Sequence, residues 1–174
     1  MVDHYEIRNT EMSDLKQIFD LFDLSITYQE KNGFPAWKNY DKNAIIRDIE
    51  NGNHYKIIVD SQIGIVFSVC YADKVIWREM DIGDSIYLHR IVVNPEWKGR
   101  KLFGLILDWT IKHAAQKGLT SIRIDTWAAN PTIISYYKNF GFAFIENYTT
   151  PDSKELPFHN RNLALTLLEY KLNV

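Results

Sequence analysis

Hydrophobic and polar residues follow two periods along this chain, and together these periods predict the order of its helices and strands. Apolar residues three and four apart, between Leu15 and Ile26, predict a first amphipathic helix with Thr10 and Ser13 as candidate caps. A shorter helix is predicted over Lys42–Glu50. Runs rich in β-branched and aromatic residues predict seven strands, at Tyr5–Arg8, His54–Val59, Ile63–Tyr71, Ser85–Val93, Ser121–Thr126, Phe142–Tyr148 and Leu163–Leu172.

Two further helices complete the pattern. A long one follows a basic turn after the fourth strand and is closed by Gly118. The other begins at Asn130 and Pro131, a strong pair of N-cap and first-turn residues, and ends at Gly141. The order βααβββαβαββ indicates an α+β protein with a mixed sheet.

Composition limits the class of protein. A chain of 174 residues that is 46% hydrophobic predicts a single domain over residues 1–174. A formal net charge of -2 excludes the global basic field used to bind nucleic acid, so any anion site is local. No apolar run approaches the roughly 18 residues that span a bilayer, and the N-terminus lacks a signal-like segment, so we expect a soluble cytoplasmic protein without a membrane partner.

Cysteine and histidine usage argues against two other kinds of site. Cys70 is the single cysteine, which excludes a disulfide framework, and its apolar surroundings favour a buried core residue over a reactive thiol. The five histidines show no metal-ligand spacing, so no metal site is predicted.

A local anion site is predicted where the fourth strand enters the turn EWKGRK and then a helix. The first N–H groups and the positive end of a helix dipole face outward at such a junction, and Lys98, Arg100 and Lys101 add full charges. The alternative is an ordinary solvated helix start. Cations at the positive end of a helix are unfavourable without an anion nearby, which favours a phosphorylated ligand.

The segments VVNPEWKG and DTWAANPTIISYYKNFGF, with this element order, resemble the GCN5-related N-acetyltransferase (GNAT) superfamily across nearly the whole chain. Asn130, Tyr137 and Gly141–Phe142 fill the family's asparagine, tyrosine and Gly-Phe places. The family's Q/R-x-x-G-x-G/A signature falls on Lys98, Lys101 and Phe103, and none of these three residues matches it.

The resemblance implies a fold, a donor and a donor site. The fold is a mostly antiparallel sheet of six or seven strands, flanked by about four helices and splayed between strands 4 and 5. The donor is acetyl-CoA, with Ile91 and Val93 pairing with the pantetheine arm and Asn130 near its thioester end. A helix N-cap is an equally good and compatible role for Asn130. The pyrophosphate would lie on Lys98, Gly99, Arg100, Lys101, Leu102, Phe103 and Gly104.

The resemblance also implies direct attack of an amine on the thioester. His89 lies where the family commonly has a glutamate base, and Asp125 is a candidate to orient it. The alternatives are a structural histidine and a carboxylate facing backbone or solvent. Tyr137, with Tyr136 as its rival, would protonate the leaving thiolate. The alternative for both tyrosines is aromatic packing on a helix.

The acceptor is less well defined. In this fold three loops wall the acceptor side, and here they carry Trp37, Trp77 and Glu79, which suit a cationic amine and favour a small molecule over a protein lysine. Solvated loops with packed aromatics are the alternative. Because dimers are common in the family, a homodimer is compatible with the resemblance. Two other functions stay open: a non-catalytic acyl-CoA-binding regulatory protein, and an interaction module that binds no CoA.

Overall fold

The computed structural model describes residues 5–37, 39–154, 156 and 160–172. Seven strands occupy β1 Tyr5–Asn9, β2 His54–Val59, β3 Gln62–Cys70, β4 Ser85–Val93, β5 Ser121–Trp127, β6 Ala143–Thr149 and β7 Ala164–Lys171. In these described ranges there are five α-helices, at α1 Leu15–Lys31, α2 Lys42–Glu50, α3 Lys74–Trp77, α4 Phe103–Gln116 and α5 Pro131–Lys138.

The strands form one mixed sheet in the order β1-β2-β3-β4-β5-β7-β6. The pairs β1–β2, β2–β3, β5–β7 and β6–β7 are antiparallel, and β4 pairs in parallel with β5 over Ser85–Leu88 and Ser121–Ile124. This is the α+β sheet that the sequence predicts. The splay expected beyond this short parallel ladder stays a prediction.

The chain divides into two compact units, and β4 contributes to both. One unit comprises residues 1–69 and 89–105, and the other comprises residues 70–88 and 106–174. The expectation of a single domain over residues 1–174 stays a prediction.

The first unit has its core under the amphipathic faces of α1 and α2. Buried residues from both helices, β3 and the end of β4 meet there: Ile18, Leu21, Phe22, Ile45, Ile49, Ile63, Val66 and Val92. Trp37 and Tyr40 pack against this core, and the Phe22 and Tyr40 rings stack at 4.7 Å. These contacts account for the helical spacing of the apolar residues in α1.

The second unit has a smaller apolar core and a buried polar network beside it. Its core is formed by Ile76, Trp77, Tyr87, Leu165 and Leu167. Next to this core the Arg123 guanidinium donates to Glu169 at 2.9 Å and to the Tyr87 hydroxyl at 3.1 Å. Tyr87 in turn donates to Asp81 at 2.8 Å, so the network ties β5 and β7 to the segment before β4.

The predicted helices and strands are present, and the structure departs from the predictions at three points. Thr10 and Ser13 do not cap α1, because Thr10 is buried against His54 at 2.6 Å and Asp14 accepts from the Glu11 amide instead. The short helix α3 is not predicted. Cys70 is half-buried at the edge of the second core rather than buried.

Within the described ranges, no helix combines the length and the apolar character that crossing a membrane requires.

Candidate functional site

The turn between β4 and α4 is built by local hydrogen bonds. Asn94 accepts from the Glu96 amide at 3.1 Å and starts a short 3-10 helix whose buried end is Trp97. The Arg100 guanidinium lies 4.4 Å from the Trp97 ring, a cation–π contact that orients this basic side chain. Contacts among residues 94–100 therefore stabilise the turn that precedes α4.

Lys101 has the backbone conformation that glycine normally supplies. Its φ is +55°, and Gly99 two residues earlier has a φ of +81°. The left-handed region is unfavourable for a residue with a Cβ, so the turn keeps a glycine-like path despite the lysine at a signature glycine position. A Cβ added to Gly99 would meet no described atom within 4 Å, which leaves the space beside the turn open.

The bulky residues of the turn point into the protein. Leu102 and Phe103 are each 2% exposed, so the aromatic ring at the second signature glycine does not block the outer face of the turn. The amides of Gly104 and Leu105 donate to the carbonyls of Lys101 and Leu102 at 2.9 and 3.0 Å, which gives α4 a tight first turn. The outer face is left to backbone and to the exposed side chains of Lys98, Arg100 and Lys101.

Lys98 has an aromatic partner that the sequence pattern does not indicate. Its ammonium lies 3.4 Å from the centroid of the Tyr28 ring and 5.7 Å from that of Phe34. Both rings belong to the end of α1 and the residues after it, 70 and 64 positions earlier in the chain. Contact with a pyrophosphate would require Lys98 to leave this aromatic pair.

The end of β4 carries the predicted base and the predicted pantetheine contacts. His89, Ile91 and Val93 are all partly exposed. Arg90 between them has a φ of +49°, which is typical of a bulge, so the alternation of side chains is interrupted there. Regular strand alternation would place His89 on the same face as Ile91 and Val93, and this expectation does not hold across Arg90.

His89 is neutral at physiological pH. Burial, and then the positive charge of Arg90, lower the pKa of the His89 imidazole to about 3. A neutral imidazole has a lone pair available to accept a proton, but this one is a weaker base than an ordinary histidine. The predicted role as base remains a prediction.

The second unit holds the predicted acid and N-cap. The Asn130 side chain accepts from the Ile133 amide at 3.2 Å, which confirms the cap, while its contact with a ligand stays a prediction. Tyr137 is 8% exposed, and burial, then Tyr136 and the Asp125 carboxylate, raise the pKa of its phenol. The Tyr137 hydroxyl is thus protonated at neutral pH, as a proton donor must be. The pairing of Asp125 with His89 stays a prediction.

The three predicted acceptor contacts differ in exposure. Trp37 is half-buried with its ring 5.8 Å from Phe22, and Trp77 is 1% exposed, with the Arg123 guanidinium 4.7 Å from its ring. Glu79 is exposed. Trp77 is therefore a core residue beneath its loop and not a surface of it. Of the three residues, Glu79 is the one whose side chain is exposed to solvent.

The comparisons with known proteins agree with this geometry. A family model described as the acetyltransferase (GNAT) family matches residues 65–142. The chain is 28% identical over 142 residues to the uncharacterized N-acetyltransferase YesJ of Bacillus subtilis, covering 76% of this chain and 78% of the relative. It is 24% identical over 148 residues to the uncharacterized N-acetyltransferase MJ1207 of Methanocaldococcus jannaschii, covering 82% and 62%.

Solved structures show the same fold. A GNAT-family acetyltransferase from Listeria monocytogenes superposes with a TM-score of 0.79 at 20% identity, over 97% of this chain and 95% of the other. A putative acetyltransferase from Salmonella typhimurium, solved with its cofactor acetyl-CoA, superposes with a TM-score of 0.66 at 16% identity, over 97% and 94%.

Proposed function

We propose that this chain is an N-acetyltransferase of the GNAT family, which the matched family model, the relatives and the shared fold support, and that it transfers the acetyl group of acetyl-CoA to a primary amine of a small molecule by direct attack. The observation that carries the donor assignment is the turn before α4. It combines left-handed backbone at Gly99 and Lys101, a buried Phe103 and exposed cationic side chains at the start of a 14-residue helix. Such a helix start suits a pyrophosphate.

Donor binding would use backbone and charge together. The amides of the turn and the dipole of α4 would face the diphosphate, and Arg100 and Lys101 would add positive charge. Lys98 would exchange its contact with Tyr28 for a phosphate. The exposed edges of Ile91 and Val93 would pair with the pantetheine amides, as strand residues do.

The donor supplies a thioester carbonyl and a thiolate leaving group. The amine nitrogen forms the new C–N bond, the C–S bond breaks, and two protons move. His89, directly or through a water, accepts the proton from the attacking nitrogen, and the Val93 amide donates to the oxyanion. The Tyr137 hydroxyl protonates the departing thiolate. Burial raises the pKa of this phenol, so it is protonated at neutral pH but is a weaker acid than an ordinary tyrosine.

The choice of a small amine rests on the acceptor-side loops. Exposed Glu79 and the half-buried Trp37 belong to segments that the resemblance places around the acceptor. A carboxylate and an aromatic ring attract an ammonium group, which releases one proton to solvent to become the neutral amine that attacks. Holding the amine and the thioester close together then lowers the activation free energy by several kcal/mol.

The test is a panel of primary amines and lysine peptides, assayed for CoA release with acetyl-CoA as donor. We expect release with one or more small amines and acetyl-CoA binding measurable by calorimetry. Release only with lysine peptides would contradict the acceptor class. Binding without release on any amine would indicate a non-catalytic acyl-CoA-binding protein, and no binding would overturn the donor assignment.

A further inference from the structure

Arg90 is a strained residue inside a strand, and its side chain is tied to a helix. Its φ of +49° lies in the left-handed region, although it is neither glycine nor asparagine and sits within β4. Left-handed arginine persists only where the surrounding structure imposes it. Something around Arg90 therefore holds its backbone in place.

The Arg90 side chain forms an ion pair with Asp48 of α2. Arg90 Nη2 lies 3.4 Å from Asp48 Oδ2, with the two side chains 33% and 22% exposed. That Asp48 oxygen is buried and makes no hydrogen bond to any described residue, so the guanidinium is its charge partner. The adjacent Ile49 and the preceding Ile45 are buried in the first core, which fixes the helix that carries Asp48.

The neighbouring groups leave Asp48 as the counter-charge. His54 is fully buried, and burial, then the charge of Arg90, lower its pKa to about 4, so it is neutral at pH 7. Lys56 is already paired with Asp14 at 2.6 Å. Of these nearby groups, only the carboxylate of Asp48 pairs with Arg90.

We propose that Asp48 is a positioning residue, whose ion pair with Arg90 holds the left-handed backbone at residue 90 and so sets the direction of Ile91–Val93. The inference rests on the proposed function, because that function assigns Ile91 and the Val93 amide to the donor. A left-handed residue redirects the chain that follows it, so loss of the pair allows residues 91–93 to rotate away from the bound thioester. Asp48 itself touches no reacting atom.

Two substitutions at residue 90 distinguish the effect of backbone conformation from the effect of losing the arginine charge. Arg90→Gly and Arg90→Ala both remove the ion pair, but glycine adopts the left-handed region freely, whereas alanine retains the Cβ that disfavours it. We expect Arg90→Ala to lower kcat roughly tenfold, which corresponds to about 1.4 kcal/mol. We expect Arg90→Gly to stay close to the unmodified enzyme.

Substitutions in α2 supply the matched control. Asp48→Asn should lower kcat about as much as Arg90→Ala does, and it should add no loss in an Arg90→Gly background. Asp41→Asn removes a pair of the same 3.4 Å length, to Arg47, on the exposed side of the same helix. Asparagine keeps the N-cap there, so Asp41→Asn should leave kcat unchanged.

Amide hydrogen exchange gives a readout that does not depend on transfer. Residues 91–93 should exchange faster in Asp48→Asn and Arg90→Ala than in Arg90→Gly and Asp41→Asn. Equal exchange and equal kcat in Arg90→Gly and Arg90→Ala would overturn the proposal, as would an Asp48→Asn protein that matches Asp41→Asn. If the unmodified protein acetylates no amine, the proposed function fails, while the exchange comparison still decides the role of Asp48.

Discussion

Replacing Lys101 by glycine should make the protein more stable. The φ of +55° at Lys101 disfavours a side chain with a Cβ by roughly 1–2 kcal/mol. Glycine removes that cost but adds about 0.4–1 kcal/mol of conformational entropy to the unfolded chain. The difference leaves about 1 kcal/mol in favour of Lys101→Gly, which raises Tm by about 2–4 °C in a protein of this size.

The matched variant is Lys101→Ala, which loses the same charge and keeps the Cβ. Chemical denaturation of both variants, with equal m-values, isolates the backbone contribution because the charge is absent from each. We expect Lys101→Gly to be more stable than Lys101→Ala by about 1 kcal/mol. A glycine variant that is no more stable than the alanine variant would refute the reasoning.

Acetyl-CoA affinity tests the same residue in its proposed role. Loss of one exposed charge should weaken binding of the diphosphate by about two- to fivefold in Lys101→Ala, and less at high salt. Lys101→Gly should recover part of that loss, because glycine lets the backbone approach a phosphate more closely. Calorimetry at two salt concentrations measures both effects.

Three other predictions concern the second proton transfer, the pH dependence of stability and the buried ion pair. Tyr137→Phe should lower kcat by about 100-fold in the CoA-release assay, as expected for loss of a general acid, with acetyl-CoA affinity nearly unchanged. Tyr136→Phe is its control. The pKa of His54 is lowered from 6.5 to about 4, so its neutral form contributes stability that is present above pH 6.5 and is lost as the pH falls toward 4. His54→Gln should therefore reduce the slope of unfolding free energy against pH by about 1.4 kcal/mol per unit between these values, in denaturation series. Glu169→Gln leaves the Arg123 guanidinium, itself 7% exposed, without its buried counter-charge and should destabilise the protein by about 3 kcal/mol in thermal or denaturant unfolding.

Each of these has a clear contrary result. Equal kcat in Tyr137→Phe and Tyr136→Phe would remove Tyr137 as the acid. An unchanged pH slope in His54→Gln would mean that the imidazole is not held neutral in the fold. A loss below about 1 kcal/mol in Glu169→Gln would put the pair in the class of surface salt bridges.

The sequence pattern predicts the elements well where a period and a stop signal coincide. The bounds of α2, β2 and β4 are those predicted, because Asn51-Gly52 ends the helix and both strands are dense in β-branched and aromatic residues. The helix α3 is missed because four residues are too few to show a period.

Contacts between distant parts of the chain could not be predicted in this way. The partners Lys98 and Tyr28 are 70 positions apart, and Arg123 meets Glu169 only because the register of β5 and β7 places them side by side. The left-handed backbone of Lys101 could not be predicted either, because lysine rarely adopts that conformation. Such features depend on tertiary structure rather than on local preference.

The position of β7 has a consequence for how the protein is made. Strand β7 lies between β5 and β6 in the sheet, although both are synthesised before it. On the ribosome β5 and β6 must therefore wait for their shared neighbour, which is synthesised after both of them. A chain that ends before residue 164 would lack β7 and leave both strands without their antiparallel neighbour, so we expect quality-control proteases to clear such products.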